Sequence, residues 1–250
     1  MPDPFDLLVA GRFAEAAEAY RLMQADGSKR LAATSGLAQA LCGLGDYRAA
    51  IPVLEEEHRN DVLGLPGSPG KRLELACAHW CLDERSTALD LAHGLCADLR
   101  TGKVHMAPDL AGGATFGLVL HYMAVTAGVP GEVDYALACL STLNAKYDKQ
   151  PARYRFPVQT VKQLLGEGTF EQAWEATRPR LDITVLSQGP EPDRSVRINE
   201  SIALFHDGVQ RRTQGDKTGC LSRMRQVFEM GHRTDLIRWR LARHEVAKSG

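Results

Sequence analysis

Cysteine and histidine side chains between residues 77 and 96 are the first candidates for chemistry in this 250-residue chain. Cys77 and Cys81 are four positions apart, so they share one face of a helix, and His93 and Cys96 follow three positions apart. Four such ligands could bind zinc if two antiparallel helices turned them towards one point. Paired cysteines of structural zinc sites usually lie on turns, however, and these lie within helical patterns. We therefore predict no metal and no cofactor, and thiols that are buried or line a groove.

Motifs of known catalytic mechanisms are missing from the sequence. It has no G-x-S-x-G, no H-E-x-x-H, no phosphate-binding P-loop and no G-x-G-x-x-G that opens a helix. His244-Glu245 lacks the second histidine of a zinc protease, and the run Glu55–Glu57 is typical of a solvated helix end. We therefore predict no catalytic residues. An enzyme whose groups converge from distant positions stays an alternative.

The clearest structural pattern lies in residues 31–57. Apolar residues recur there at helical spacing on both sides of Gly45-Asp46, which predicts two amphipathic helices around a tight turn. The segment GRFAEA at residues 11–16 aligns with GDYRAA at residues 45–50. The offset of about 34 residues is the period of the tetratricopeptide repeat.

The hairpin resembles the tetratricopeptide signature in its residue types as well as in its period. The matching residues are Leu37, Ala38, Leu41, Gly45, Asp46, Tyr47 and Ala50. Ala38 and Ala50 lie where paired helices of the family come closest, and only a small side chain fits there. The sequence departs from the family at Thr34, where an aromatic residue is frequent, and it lacks a proline just after the second helix.

The resemblance implies an all-α fold, a right-handed α-solenoid of about six hairpins in a single domain over residues 1–250. The predicted hairpins are about 5–26 (truncated), 31–58, 72–99, 114–147, 153–178 and 196–230, followed by a capping helix at 234–247. The turns of the last three hairpins are predicted at Val129–Gly131, Gly168–Phe170 and Gly215-Asp216. A terminal helix of this kind covers an apolar face that would otherwise lack a neighbour. The only competing strand pattern, residues 181–186, is interpreted as a helix end or an extended loop.

The resemblance also implies partner binding in a concave groove lined by the first helix of each hairpin. Projecting the best repeat onto the others predicts the following groove residues: Ser35, Gln39, Cys42, Cys77, Trp80, Cys81, His121, Lys162, Phe205, Val209 and Arg212. Trp80 is the predicted anchor, since a partly exposed indole often dominates an interface. The alternative is that Trp80 packs under the Pro-rich loop. The basic clamp by which some family members bind a terminal carboxylate is not reproduced at Gln39 and Cys77.

Composition and charge limit which cellular compartment and which class of partner we expect. A net charge of -1 and a pI near 6.7 argue against a general nucleic-acid binder. No apolar run reaches the ~18 residues of a membrane span, and the acidic N-terminus is unlike a signal peptide. Six cysteines scattered through helical patterns are typical of reduced thiols. We therefore expect a cytoplasmic protein without a membrane partner.

Charge is unevenly distributed along the chain. Residues 1–100 hold 15 Asp and Glu against 10 Lys and Arg, whereas residues 211–250 hold 4 against 10. A basic end could steer an acidic partner, although a solvated cap explains it as well. The predicted basic patch consists of Arg223, Arg225, Arg238, Arg240 and Arg243.

These observations favour a non-catalytic protein–protein interaction module whose groove binds a partner protein, such as an acidic segment. Proteins with this resemblance include adaptors, regulators and immunity proteins that neutralise a cognate bacterial toxin. Three classes therefore stay open: a general scaffold, a dedicated inhibitor of one toxin or enzyme, and a helical-repeat enzyme.

Overall fold

A computed structural model describes residues 2–26, 30–62, 69–104, 114–147, 158–177, 192–232 and 236–249. These ranges contain helices and no β-strand, so the all-α prediction is confirmed. The helices are α1 (Pro4–Val9), α2 (Phe13–Ala25), α3 (Arg30–Leu44), α4 (Tyr47–Val62), α5 (Pro69–Cys81), α6 (Arg85–Arg100), α7 (Ala114–Ala127), α8 (Pro130–Tyr147), α9 (Val158–Leu164), α10 (Phe170–Glu175), α11 (Pro192–Thr213), α12 (Lys217–Glu229) and α13 (Leu236–Lys248). Within the described ranges, none of them has the length and apolar character needed to cross a bilayer.

Six short turns that lead directly from one helix into the next share one hydrogen-bond pattern, which also occurs at Gly102 after α6. In each, a residue in the left-handed conformation donates its N–H to the carbonyl three residues earlier, and the next N–H donates to the carbonyl five residues earlier. This is the Schellman motif, which satisfies carbonyls at a helix end. Asp83, with φ of 63°, is the one non-glycine among them and belongs to a residue type that tolerates this conformation. The six residues are Gly11, Gly45, Asp83, Gly128, Gly166 and Gly215.

Most predicted hairpins contain the corresponding pair of helices. The predicted turns at Gly45 and Gly215 lie where the structure has them, and two others begin one or two residues earlier than expected, at Gly128 and Gly166. Helix α11 begins at Pro192, ahead of the predicted residue 196. Several predicted segments lie outside the described residues. They are the start of the fifth hairpin (153–157), the strand candidate (181–186) and the first two residues of the capping helix (234–235).

The helices gather in two compact units, Met1–Leu91 and Ala92–Gly250. The single domain over 1–250 stays a prediction. In the first unit, successive helices from α1 to α5 pack in neighbouring pairs, as a helical repeat requires. Ala38 and Ala50 are fully buried, which confirms both as interior positions. The closest helix contacts are made by glycines, because a Cβ at Gly36 would lie 2.1 Å from the Tyr20 ring.

In the second unit, α7 packs against α8, and α11 packs against α12. Helix α7 also touches α9 and α11, while α13 covers α12 and α11. Every residue from 116 to 124 is buried as a result. A helix that is apolar all round is an interior helix, and α7 has this character. It is the centre of the second unit.

Candidate functional site

Several predicted groove residues lie in the interior. The prediction that they line an accessible surface is wrong, because α7 is covered by neighbouring helices and residues 201–209 of α11 are buried as well. Trp80 is 2% exposed, with the Arg85 guanidinium 5.3 Å from its ring centroid, so it is no exposed anchor. The Pro-rich loop of the alternative lies largely outside the described residues. The buried set is Cys42, Cys77, Trp80, His121, Phe205 and Val209.

Five other predicted groove residues keep part of their surface exposed: Ser35, Gln39, Cys81, Lys162 and Arg212. The first three lie in the first unit and the last two in the second. Their role in partner binding stays a prediction. Arg212 borders two clefts.

The five predicted arginines do not form one basic patch. Arg238 and Arg240 are buried, because α13 packs against α11 and α12. Arg243 lies over the Trp239 ring, with its guanidinium carbon 4.7 Å from the ring centroid. Arg223 is partly buried and Arg225 is exposed. Arg238 and Arg240 therefore do not belong to an exposed basic patch.

Arg223 belongs to an ionic cluster around Asp207, a carboxylate that is almost fully buried. Asp207 Oδ2 accepts from Arg223 Nε at 2.7 Å and from Arg211 Nε at 2.8 Å. Its Oδ1 accepts from Gln163 Nε2 at 3.1 Å. Charge-assisted hydrogen bonds of this kind are strong, and here they join α9, α11 and α12. Arg223 also lies over the ring of Phe170, 4.7 Å from the ring centroid. The cluster therefore has a structural role, since it connects these three helices.

Two histidines of the second unit, His121 and His206, are buried. Arg238 Nε donates to His206 Nε2 at 3.2 Å, which assigns the ring proton of His206 to Nδ1. Burial lowers the pKa of His206, and the charges of Arg238 and His121 lower it further. Burial also lowers the pKa of His121 to about 4. Both rings are therefore neutral at pH 7 and carry no charge to bind a ligand.

The candidate zinc ligands have other neighbours. His93 stacks on Tyr135 with ring centroids 4.0 Å apart, and His93 Nδ1 donates to Glu132 Oε2 at 2.8 Å. The six cysteines are free thiols. Among the described residues, no three His, Cys, Asp or Glu side chains are gathered to bind a metal ion.

Arg212 is the predicted residue that the structure places in a polar network. Its Nη2 donates to Glu245 Oε2 at 2.6 Å, and its Nη1 donates to Glu245 Oε1 at 3.3 Å and to Thr126 Oγ1 at 2.6 Å. The Tyr122 hydroxyl donates to Glu245 Oε1 at 2.8 Å. These bonds join α7, α11 and α13 near the ends of the three helices.

The two charges of this network stabilise each other. Burial is the largest influence on Arg212 and would lower its pKa, but the hydrogen bonds and the charge of Glu245, with smaller contributions from nearby groups, together raise that pKa. Burial would likewise raise the pKa of Glu245, but the hydrogen bonds and the charge of Arg212, together with the hydrogen bond from Tyr122, lower it overall. Both side chains are therefore charged at pH 7. The pair is neutral as a whole.

Two clefts adjoin Arg212, and together we call them the Arg212 site. The first has a volume of about 380 Å³, and the second has a volume of about 320 Å³. Both lie where α7 and α11 end, the first beside the start of α12 and the second beside the start of α8. This is the turn edge of the hairpins and not the face of their first helices. The first cleft includes Thr126, Arg212, Lys217, Leu221, Met224 and Glu245. The second includes Val125, Val129, Pro130, Val133, Asp134 and Arg212.

Two charged side chains at the Arg212 site lack a partner among the described residues. Lys217 and Asp134 are exposed, and neither side chain has an ion pair or a hydrogen bond within the described parts of the chain. Val129 exposes 37% of its surface at the second cleft. The site therefore offers one free cation, one free anion and an apolar wall, on a framework fixed by Arg212 and Glu245.

Sequence reasoning found Arg212 but none of the other residues of the site. A usable signal was present at residues 129–131, where an exposed apolar residue occupies a predicted turn. The partnership of Arg212 with Glu245 had no signal, because it joins helices 33 positions apart in sequence.

Comparisons of the chain with protein-family models, with curated proteins and with solved structures find no match. The resemblance to the tetratricopeptide repeat therefore rests on the residue pattern. The all-helical architecture of neighbouring helix pairs is consistent with it.

Proposed function

We propose that this chain is a non-catalytic protein-interaction module made of about six tetratricopeptide-like hairpins in a right-handed array. The observation that supports this proposal is the shared Schellman pattern at six helix turns. Helices that pair with their sequence neighbours through short turns of this kind fit a helical-repeat array, whose stacked units present binding surfaces. Six free thiols support a reducing compartment such as the cytoplasm.

The partner binds at the Arg212 site in this proposal. The site combines open volume, the exposed apolar residue Val129 and a rigid framework. A framework of this kind favours binding because little order is lost when the partner arrives. The face of α7, by contrast, offers no accessible surface from residue 116 to residue 124.

A helical-repeat enzyme is the weaker alternative. The nearest arrangement to a catalytic pair is in the first unit, where Lys71 Nζ donates to Ser35 Oγ at 2.6 Å. A lysine that activates a serine must be neutral. Lys71 Nζ also lies 3.5 Å from a carboxylate oxygen of Glu57 and 3.8 Å from one of Glu74, so two acidic groups share this lysine with Ser35. This cluster therefore favours a structural role.

The test begins with recovery of the partner from cells of the source organism, followed by calorimetric titration with the purified partner. A dedicated inhibitor should bind one partner at 1:1 stoichiometry with a nanomolar Kd, whereas a scaffold should bind extended segments more weakly. Val133→Asp at the second cleft should weaken binding at least about tenfold, which corresponds to about 1.4 kcal/mol. Gln39→Glu, at a part-exposed position in the first unit, is the matched control. A Gln39→Glu variant that abolishes binding while Val133→Asp binds normally would contradict the proposed site.

A further inference from the structure

We propose that the Arg212 site binds an extended partner segment with an acidic side chain, then a large apolar side chain, then a basic side chain. The acidic group lies at Lys217, the apolar side chain fills the second cleft, and the basic group lies at Asp134. This inference rests on the proposed function, because it names the chemistry of the partner that the module binds.

The acidic end is assigned from the charges of the first cleft. Glu245 is neutralised by Arg212 through two hydrogen bonds, and a third comes from Tyr122. Asp216, beside Lys217 in sequence, accepts from Gly219 N at 2.8 Å and from Arg211 Nη1 at 3.2 Å. The ammonium group of Lys217 is thus the uncompensated charge of the first cleft. A carboxylate is the complementary group.

The central apolar residue is assigned from the second cleft. Val125, Val129, Pro130 and Val133 supply its apolar wall. Removal of exposed apolar surface such as that of Val129 from water favours association. Arg212 borders both clefts, so a segment that fills the two must pass over its side chain. An acidic residue and an apolar residue close together in the partner satisfy this arrangement.

The basic end follows from Asp134, the exposed carboxylate at the second cleft. A partner cation beyond the apolar residue would meet Asp134, and a second anion there would be repelled. Lys217 and Asp134 therefore set the direction in which the segment lies. The same pair disfavours a polyanion, since its charges would approach both groups at once.

The test is selection of a phage-displayed library of random twelve-residue peptides on the immobilised full chain. Enriched peptides should carry Asp or Glu on one side of a Leu, Ile, Phe or Trp and Lys or Arg on the other side, in either chain direction. Fluorescence polarisation of one selected peptide should then show at least about tenfold weaker binding to Lys217→Glu and to Val133→Asp. Arg225→Glu, an exposed charge reversal elsewhere on α12, should leave the affinity unchanged.

A second selection makes the charge assignment falsifiable. Lys217→Glu should enrich peptides with a basic residue in place of the acidic one, and it should keep the wild-type melting temperature because Lys217 makes no ion pair with any described residue. Absence of enrichment, or identical peptides on wild type and Lys217→Glu, overturns the inference. A concentration-dependent dimer that Val133→Asp dissolves also overturns it, in favour of a second copy as the occupant.

These outcomes separate this inference from the proposed function. A recovered partner that loses binding to Val133→Asp but not to Lys217→Glu leaves the site in place and removes the assigned charge pattern. A recovered partner that binds both variants as tightly as the wild type would show that the interaction module uses another binding surface.

Discussion

The two units close their hairpins with the same turn, but they use the first helix of a hairpin differently. In the first unit, α3 keeps Ser35 and Gln39 part-exposed. In the second unit, residues 116–124 of α7 are buried beneath α8, α9 and α11. A repeat pattern therefore determines which helices pair and how they turn. It does not determine whether the face that could form a groove stays open.

The interiors of the two units also differ in the types of residue that they bury. The first is built from small and aliphatic residues, with aromatic rings packed on Gly36 and Gly43. The second buries His206, Arg238 and Asp207 together with its apolar residues. Buried polar groups require partners, so the second unit, which buries more of them, depends more on specific hydrogen bonds than the first.

The largest expected effect tests whether Phe205 is interior. Phe205→Ala removes a fully buried ring that meets Tyr122 edge-on, with centroids 4.9 Å apart. It should lower the free energy of unfolding by about 3–5 kcal/mol, measured by urea denaturation. Phe5→Ala in the first unit is the control, since Phe5 is 59% exposed and should change little. Equal effects of the two variants would contradict the contrast between the units.

Asp207→Asn tests whether the ionic cluster around Asp207 stabilises the second unit. The amide removes the charge that holds Arg211 and Arg223, which should cost about 3 kcal/mol, as for other broken buried pairs. Urea denaturation at pH 7 measures it. Glu15→Gln removes the exposed pair with Arg12 in the first unit and should leave the denaturation midpoint unchanged. An unchanged midpoint for Asp207→Asn would show that the cluster does not stabilise the fold.

Acid should destabilise the second unit through its buried histidines. The pKa of His121 is about 4 when folded and about 6.5 when unfolded, so between these values only the unfolded chain takes up the proton. Stability should therefore fall by about 1.4 kcal/mol per pH unit from pH 6.5 towards pH 4, and His206 adds to the fall in the same direction. His121→Gln should flatten this slope and leave the curve above pH 7 parallel to the wild type. If His121→Gln left the slope of stability against pH unchanged, this explanation would be wrong.

The smallest expected effect compares two helical glycines. Gly36→Ala in the first unit forces a methyl group into the Tyr20 ring and should cost about 1–3 kcal/mol by overpacking. Gly131→Ala in the second unit meets no atom within 4 Å and should be neutral or stabilise by less than about 1 kcal/mol. Thermal melting of both variants checks the difference. A Gly36→Ala variant as stable as wild type would mean that α2 and α3 are not this close.

Local patterns in the sequence predicted the helix pairs, the turns at Gly45 and Gly215, and the burial of Ala38 and Ala50. Each depends on neighbouring residues. The burial of His121 was missed because periodicity assigns a residue to a face and does not say which distant helix covers that face. The uniformly apolar run around His121 was the available signal, since a helix apolar all round is buried.

The central claim is that a partner binds at the Arg212 site and not on the face of α7. Hydroxyl-radical footprinting of the free chain and of its complex with the purified partner tests this claim most directly. The account predicts that Val129, Pro130 and Leu221 are labelled in the free chain and protected in the complex, while Phe205 is unlabelled in both. Labelling of Phe205 in the free chain that disappears on binding, with Val129 unaffected, would contradict it.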